Sequence, residues 1–129
     1  MRSLRVLVLV AVLYIAAGPV FVSRAVADDL DTCAAVAGEE AIAACTRAIS
    51  SGRLHDHDLA AEYYNRGIKY GSRGDYDRAI ADYTEAIRLD PNFARAYYNR
   101  GFAKRAKGDS ANASADIAKA MLLNPGVGK

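Results

Sequence analysis

The side chains best suited to chemistry in this chain are two cysteines and two histidines. Cys33 and Cys45 are its only cysteines, and His55 and His57 are its only histidines. The segment His55-Asp56-His57-Asp58 offers metal-ligand side chains, but a structural site needs three or four ligands in fixed geometry and no further histidine exists. We therefore interpret this segment as a solvated polar loop, and we predict neither a metal site nor a cofactor.

No arrangement of a nucleophile with a base is recognisable in the sequence. Outside the histidine segment there is no imidazole for general base catalysis. Ser110 and Ser114 follow Gly108 in a predicted helix, and the acids Asp75 and Asp77 stand at a helix start, where the helix dipole favours them. A Cys-x-x-Cys redox motif is absent. The sequence predicts a protein that is not an enzyme and has no catalytic residues.

The elements that position these side chains follow an internal repeat with an offset of 34 residues. The pentapeptide YYNRG at 63–67 returns at 97–101, and the Gly-Asp pair at 74–75 returns at 108–109. Fourteen of the 34 aligned positions are identical. A repeat of this length predicts stacked supersecondary units that share one core.

Each repeat unit is predicted to contain two helices. In the first unit a helix from Ala60 to about Ser72 ends at Gly74, because glycine takes the left-handed conformation without steric cost. Asp75 can cap the next helix by accepting backbone N–H bonds. That helix is predicted to end near Asp90, because the following proline cannot continue it.

At these positions the sequence resembles the tetratricopeptide repeat family, whose 34-residue helix–turn–helix units carry aromatic, glycine, alanine and proline residues at set positions. The matching residues of the first unit are Tyr63, Gly67, Tyr70, Ala79, Tyr83, Ala86 and Pro91. Those of the second are Tyr97, Gly101, Ala113, Ile117, Ala120 and Pro125, with Lys104 in place of the second aromatic. The small residues are expected where two helix backbones approach closely, and the tyrosines fill the remaining volume.

The predicted fold class is all-α, with three stacked antiparallel helical hairpins. Residues 28–59 form a degenerate first hairpin, and residues 60–93 and 94–127 form two tetratricopeptide units. In the degenerate hairpin, the first helix is predicted from about Leu30 to Ala37, and an extended loop covers residues 51–58.

The two cysteines both fall in this degenerate hairpin. Cys33 is five residues before Gly38 and Cys45 is seven after it, so a rise of about 1.5 Å per residue places them at similar heights on two antiparallel helices. In an oxidising compartment the pair is expected to form a disulfide. Two buried free thiols are the alternative.

Residues 1–27 have the three-part plan of a secretory signal peptide. A basic start at 1–5 precedes an apolar run at 6–17, and small residues lead to a cleavage site expected after Ala27. The predicted location is therefore exported, periplasmic or secreted. An uncleaved membrane anchor is the alternative. Removing this segment leaves 14 basic against 15 acidic residues, a balance that gives no support for nucleic-acid binding.

The resemblance implies a concave face, lined by the first helix of each unit, that binds an extended peptide or a partner's helix. Carried over position by position, the candidate partner-binding residues are Tyr64, Asn65, Ile68, Arg95, Tyr98, Asn99, Phe102 and Arg105. Family members that clamp a carboxylate terminus have a lysine where this chain has Tyr64 and Tyr98, so a full clamp is not expected. The alternative is that these residues complete the packing between hairpins.

Arg66 and Arg100 replace the usual leucine of the family, and the repeated acids Asp82 and Asp116 are their candidate partners because a half-buried arginine needs an acceptor.

The predicted function is a non-catalytic scaffold that binds a protein or peptide. A self-associating or complex-capping subunit, or a scaffold tethered by an uncleaved residues 1–27, is the alternative. Weak homo-oligomerisation is predicted through an apolar strip on the last hairpin, made of Phe102, Ile117, Met121 and Leu122.

Overall fold

The computed structural model of the protein describes residues 24–129, which fold into six α-helices and contain no strand. Most of the predicted signal segment therefore lies outside the described residues. In chain order the helices are α1 at 24–35, α2 at Glu39–Ser50, α3 at Asp56–Ser72, α4 at Tyr76–Leu89, α5 at Ala94–Ala106 and α6 at Ser110–Leu123. None of the helices in this part of the chain is long and apolar enough to cross a membrane.

The helices form three hairpins that stack in chain order. Helix α3 packs against α4 and α5 against α6, and these two pairs form the most extensive helix contacts in the described part of the chain. Helix α3 also contacts α2, and α4 contacts α5, so the first helix of each hairpin packs on the second helix of the preceding one. The predicted all-α array of stacked hairpins is confirmed.

The helix ends of the two repeat units have the predicted chemistry. Gly74 and Gly108 both have positive φ, of 77° and 89°. The side chain of Asp75 then accepts a hydrogen bond from the backbone N–H of Arg78 at 3.3 Å, and Asp109 caps α6 in the same way at the same distance. The duplicated Gly-Asp pair therefore ends one helix and starts the next.

The core of each unit depends on glycine at the point where its two helices approach most closely. A Cβ atom on Gly67 would lie 2.7 Å from Cε1 of the buried ring of Tyr83, and a Cβ on Gly101 would lie 2.9 Å from the carbonyl oxygen of Ala113. Because a Cβ atom closer than 3.0 Å to another heavy atom clashes with it, a side chain at either glycine would force its neighbours to shift. The small residue at this position is thus needed for close packing, as the repeat pattern predicted.

The first hairpin departs from the predicted boundaries. Helix α1 includes residues 24–35 rather than about 30–37, so it passes through the predicted cleavage point after Ala27. Helix α3 begins at Asp56 rather than at Ala60, and the predicted extended loop at 51–58 is therefore wrong. Asp56 and Asp58 instead lie in the first turn of α3, where the helix dipole favours acidic side chains.

A disulfide joins the two helices of the first hairpin. The Sγ atoms of Cys33 and Cys45 are 2.01 Å apart, their Cα atoms are 4.8 Å apart, and both side chains are fully buried. Among the described residues of α1, only Cys33 is buried. The covalent bond links α1 to α2 together with an ion pair, in which Nη2 of Arg47 lies 2.7 Å from Oδ1 of Asp29.

Candidate functional site

The repeated arginines are bound to the acids that the sequence pointed to. Nε of Arg66 donates to Oδ2 of Asp82 and its Nη2 donates to Oδ1, both at 2.8 Å. The remaining nitrogen, Nη1, donates at 3.0 Å to the hydroxyl of Thr46 on the preceding hairpin. Arg66 therefore joins α3 to α4 and the second hairpin to the first, and its guanidinium is not free for a ligand.

The same arrangement returns one unit later with an added lysine. Arg100 donates to both carboxylate oxygens of Asp116, at 2.7 and 2.8 Å, and to the hydroxyl of Thr84 at 3.1 Å. Nζ of Lys104 lies 2.8 Å from Oδ2 of Asp116. Burial alone would raise the pKa of Asp116, but the hydrogen bonds from Arg100 and Lys104 outweigh it and lower that pKa. Lys104, the departure from the family pattern, thus gives this buried carboxylate a second cation.

A groove of about 390 Å³ lies between α3 and α5, and two tyrosines of α4 complete its wall. The residues that line it are Ile68, Gly71, Ser72, Tyr76, Tyr83, Asn99, Phe102, Ala103 and Ala106. Three of the predicted binding residues, Ile68, Asn99 and Phe102, are therefore brought together. Phe102 is 46% exposed, and the guanidinium carbon of Arg105 lies 5.5 Å from its ring centroid, so Arg105 borders the same surface.

Tyr64 lies beneath this surface in the core. Its side chain is 9% exposed, and its ring centroid is 4.8 Å from that of Phe93. Its hydroxyl accepts a hydrogen bond from Nδ2 of Asn99 at 3.1 Å. Burial raises the pKa of Tyr64, so the phenol stays neutral. The structure thus places Tyr64 as a packing residue that holds the Asn99 amide in position.

The other predicted residues are distributed around the groove rather than in its lining. Nδ2 of Asn65 donates to Glu62 at 3.3 Å. The guanidinium of Arg95 lies 5.8 Å from the ring centroid of Tyr64 and lines a second, smaller cavity of about 290 Å³ at the turn before α5. Tyr98 is half-buried against the cluster that contains Val127. Asn65 and Arg95 are therefore outside the lining of the groove, whereas the ring of Tyr98, with its centroid 4.8 Å from that of Phe102, borders the same surface.

Tyr76 and Gly71 line the groove but were not among the predicted binding residues. Tyr76 is the first residue of α4 and does not recur, because the equivalent position in the second unit is Ser110. Gly71 lies one turn after Gly67, and the equivalent position is Arg105. The available signal was that both positions differ between the two repeat units. Comparison of the units alone could not show which of the differing positions line the groove.

The lining of the groove determines what it can do chemically. It combines apolar and aromatic surface with one amide and a few hydroxyl groups, and among the described residues that line it there is no histidine, cysteine or carboxylate. Such a surface offers apolar contact and hydrogen bonding to a ligand. It offers no group for proton transfer near neutral pH and no metal ligand set.

The last hairpin exposes three of the four residues predicted as an apolar strip. Phe102, Met121 and Leu122 are 46%, 50% and 81% exposed. Ile117 does not belong to the strip, because it packs at the close approach to Gly101 and is only half-exposed. This prediction was wrong for Ile117 because helix α6 turns that side chain toward its own hairpin.

Comparison with known proteins supports the repeat assignment. A family model described as "TPR repeat" matches residues 67–108, and one described as "Tetratricopeptide repeat" matches residues 94–126. No curated protein sequence gives a significant match. The fold is similar to the second TPR domain of human RPAP3 in complex with the HSP70 peptide SGPTIEEVD, at 31% identity over 69% of this chain and 71% of that one, with a TM-score of 0.62.

Two further solved structures are similar to the chain. The Arabidopsis OM64 TPR domain is 27% identical over 69% of this chain and 70% of that chain, with a TM-score of 0.63. MamA is 35% identical over 67% of this chain, with a TM-score of 0.59, and the match spans 45% of the MamA chain, less than half its length. The described hairpins, the two matching family models and the likeness to the RPAP3 domain agree, and the chain belongs to the tetratricopeptide repeat family.

Proposed function

We propose that this protein is an exported, non-catalytic scaffold that binds a protein or peptide partner in the groove between α3 and α5. The observation that carries the proposal is the convergence of Ile68, Asn99 and Phe102 on one open surface. These residues come from two consecutive hairpins. A ligand that contacts all three would therefore bind across two stacked hairpins rather than along a single helix.

The chemistry of the groove favours an extended segment with an apolar side chain. Phe102 provides exposed aromatic area, which contributes strongly to binding because few torsions are lost. Nδ2 of Asn99 already donates to Tyr64, which leaves the amide oxygen to accept a peptide N–H. Arg105 beside the Phe102 ring adds positive charge at the border, so an acidic residue next to the apolar one would be favoured.

The similar human domain supports a peptide as the ligand class. The second TPR domain of RPAP3 was solved with an HSP70 peptide, and it is 31% identical to this chain. This chain has tyrosine at positions 64 and 98, where carboxylate-clamping family members have lysine. We therefore propose recognition through an internal apolar residue of the partner rather than through a clamped carboxylate terminus, and we propose no nucleic-acid partner.

Two exposed apolar residues on different helices allow a matched test. Phe102 on α5 is 46% exposed and Met121 on α6 is 50% exposed, so replacing either by alanine removes a similar degree of exposed apolar side chain. Peptides selected from a displayed random library against the wild-type chain serve as the probe. We expect Phe102→Ala to weaken their binding at least about 10-fold, as for a moderate hot spot, and Met121→Ala to leave it unchanged.

Circular dichroism of both variants checks that helicity is retained. Equal affinity of Phe102→Ala and the wild type for every selected peptide would place the binding surface elsewhere. Replacing Asn65 and Asn99 is less decisive, because both amides hydrogen-bond within the fold, to Glu62 and Tyr64. A loss of binding in that double variant could be attributed to a lost contact with the peptide only if circular dichroism showed that helicity was retained.

Export is the second part of the proposal. It is supported by the three-part plan of residues 1–27 and by the disulfide between Cys33 and Cys45, a bond that persists in oxidising compartments. We expect the mature chain to begin at Asp28, in a periplasmic or secreted location, and intact mass of the exported material would show it. A membrane fraction that retains Met1 to Ala27 would instead favour a tethered scaffold.

A self-associating or complex-capping subunit is the second candidate function. It is favoured by Met121 and Leu122, which leave apolar surface exposed on α6 of the last hairpin. We expect weak, concentration-dependent self-association that Met121→Glu abolishes, measured by sedimentation. A monomer at all concentrations, unaffected by the substitution, would exclude self-association.

A further inference from the structure

Helix α3 carries a buried carboxylate that has no hydrogen-bond partner on one of its oxygens. Glu62 is only 6% exposed. Its Oε1 accepts a hydrogen bond from Asn65 at 3.3 Å, whereas its Oε2 is buried and receives no hydrogen bond from any described residue. Burying an unsatisfied polar atom of this kind is costly, so such an atom points to a partner that the oxidised fold does not supply.

The neighbours of Glu62 are the two sulfurs of the disulfide. A carboxylate oxygen of Glu62 and the Sγ atoms of Cys33 and Cys45 all lie within 4.8 Å of one another, and all three residues are buried. A disulfide has no proton to donate. The two sulfurs beside the Glu62 carboxylate therefore cannot donate a hydrogen bond to it while the sulfur–sulfur bond is intact.

The spacing of these atoms suits a small tetrahedral ion once the bond is broken. With Zn–S bonds of about 2.3 Å and Zn–O bonds of about 2.1 Å, neighbouring ligand atoms of a tetrahedral site are about 3.5–3.8 Å apart. The oxygen and the sulfurs are within 4.8 Å of one another, so the sulfurs must separate from bonding distance and the oxygen must move closer by up to about 1 Å. Two thiolates and a carboxylate are a ligand set that zinc accepts, with water in the fourth position.

We propose that, when the Cys33–Cys45 bond is reduced, the first hairpin binds a thiophilic divalent cation such as Zn²⁺ through Cys33, Cys45 and Glu62. An external dithiol supplies two electrons and two protons, so that the sulfur–sulfur bond breaks, the dithiol becomes a disulfide, and two thiols form. The cation then displaces both thiol protons to solvent. It replaces the covalent link between α1 and α2 by a coordination link that also includes α3.

Entry of the ion is provided by the weak attachment of α1. Cys33 is the only buried residue among the described residues of that helix, and the ion pair of Asp29 with Arg47 remains when the disulfide is lost, so reduction would loosen α1 and let the fully buried cluster open. Binding of the ion would then restore the position of the helix. The site is separate from the groove between α3 and α5, since none of its residues line that groove.

Cobalt is a suitable probe because its thiolate complexes absorb in the near ultraviolet. The full chain, reduced with a phosphine that does not bind the metal, is titrated with Co²⁺ and then with Zn²⁺. We expect a thiolate-to-cobalt band that appears only after reduction, is absent in Cys33→Ser and disappears on displacement by Zn²⁺. Glu62→Gln should weaken the affinity by at least about 10-fold, the lower end of what losing even a supporting group costs.

Glu40→Gln is the matched control, because it is the same substitution on an exposed glutamate of the neighbouring helix α2. It should bind Co²⁺ like the wild type. The absence of a band in the reduced wild type, equal affinity in Glu62→Gln, or an equal loss in Glu40→Gln would each overturn the proposal. The melting temperature of the reduced wild type should also rise with Zn²⁺ and fall again with a chelator, and a constant melting temperature would overturn it independently of any variant.

Discussion

The first hairpin (α1 and α2) and the second hairpin (α3 and α4) have the same helix–turn–helix plan but are held together by different means. In the second hairpin, Tyr83 fills the space beside Gly67, and Arg66 forms a bidentate ion pair with Asp82. In the first, the compact cluster consists of two cysteines and Ala44. A hairpin with few large side chains buries little apolar area, and here a covalent bond provides the stability that packing does not.

The contacts between hairpins, by contrast, are conserved along the array. Arg66 donates to Thr46 of the first hairpin, and Arg100 donates to Thr84 of the second. Arg73 pairs with Glu39, and Lys107 pairs with Asp77 one unit later. The comparison shows that the interior of a hairpin can diverge while its stacking surface keeps the same polar connections.

The largest effect is expected from removing the non-covalent link of the second hairpin. Arg66→Met leaves Asp82, whose side chain is 7% exposed, without its cation, and we expect a loss of about 3 kcal/mol in the free energy of unfolding, measured with urea. Arg88→Met removes an exposed arginine that pairs with Glu85 and should cost less than about 1 kcal/mol. Equal costs for the two variants would contradict the role given to Arg66.

Removing the covalent link of the first hairpin should have a slightly smaller and more local effect. Cys33→Ser opens a bond that joins residues 12 apart, and we expect a loss of about 2–3 kcal/mol. Amide hydrogen exchange should become faster in α1 and α2 and stay slow in residues 60–125. Faster exchange throughout the chain would show that the first hairpin supports the whole array.

The third prediction distinguishes the arginine–aspartate ion pair of the second repeat unit from that of the first. Arg100→Met should cost about 1–2 kcal/mol, less than Arg66→Met, because Nζ of Lys104 still lies 2.8 Å from Asp116. Combining it with Lys104→Met should restore the full cost of about 3 kcal/mol. Additive and equal effects of the two single substitutions would show that Lys104 does not compensate for the arginine.

The smallest effect is expected from pH. The pKa of Asp116 is lowered from its ordinary value of 3.8, so the unfolded chain binds the proton more readily than the folded one. Its contribution to stability is therefore fully present above the ordinary value and is lost as the pH falls through the lower, folded value. We expect the stability difference between the wild type and Asp116→Asn to be constant from pH 5 to 7 and to shrink below about pH 4.

Urea unfolding at several pH values measures this difference, and Glu85→Gln is the control because Glu85 is partly exposed and, within residues 24–129, its ion pair is with Arg88 alone. The difference between the wild type and the control should change little over the same range. A stability difference between the wild type and Asp116→Asn that grows as the pH falls would contradict a lowered pKa of Asp116.

The sequence predicted best what the repeat itself defines. The helix pairs of residues 60–127, their glycine ends and aspartate caps, and the pairing of Arg66 and Arg100 with acids 16 residues on all follow from positions that occur twice. Helix α3 begins at Asp56, four residues before the position equivalent to the start of α5 at Ala94, so the repeat did not indicate this first turn and the start of α3 was placed four residues too late.

The groove was predicted less completely for a different reason. The family pattern indicates which residues of α3 and α5 face one side, but the tilt between hairpins decides whether a side chain lines the groove or lies beneath it. Tyr64 is buried, whereas Phe102 is exposed, although both belong to the same predicted surface. The site of Glu62 and the two cysteines was not predicted, since it joins three different helices and leaves no pattern in the sequence.

The polar connections between hairpins also bear on how such an array could grow. Thr84 and Asp77 accept the side chains of the following hairpin, and the equivalent positions on the last hairpin, 34 residues on, are Ala118 and Ala111. An additional copy of the repeat fused after residue 127 would therefore find no acceptor on the preceding hairpin for its arginine or its lysine, although the arginine would keep the aspartate of its own unit. Ala111→Asp and Ala118→Thr would supply both acceptors, so these two substitutions would give the last hairpin the same polar contacts toward an added unit that the second hairpin makes with the third.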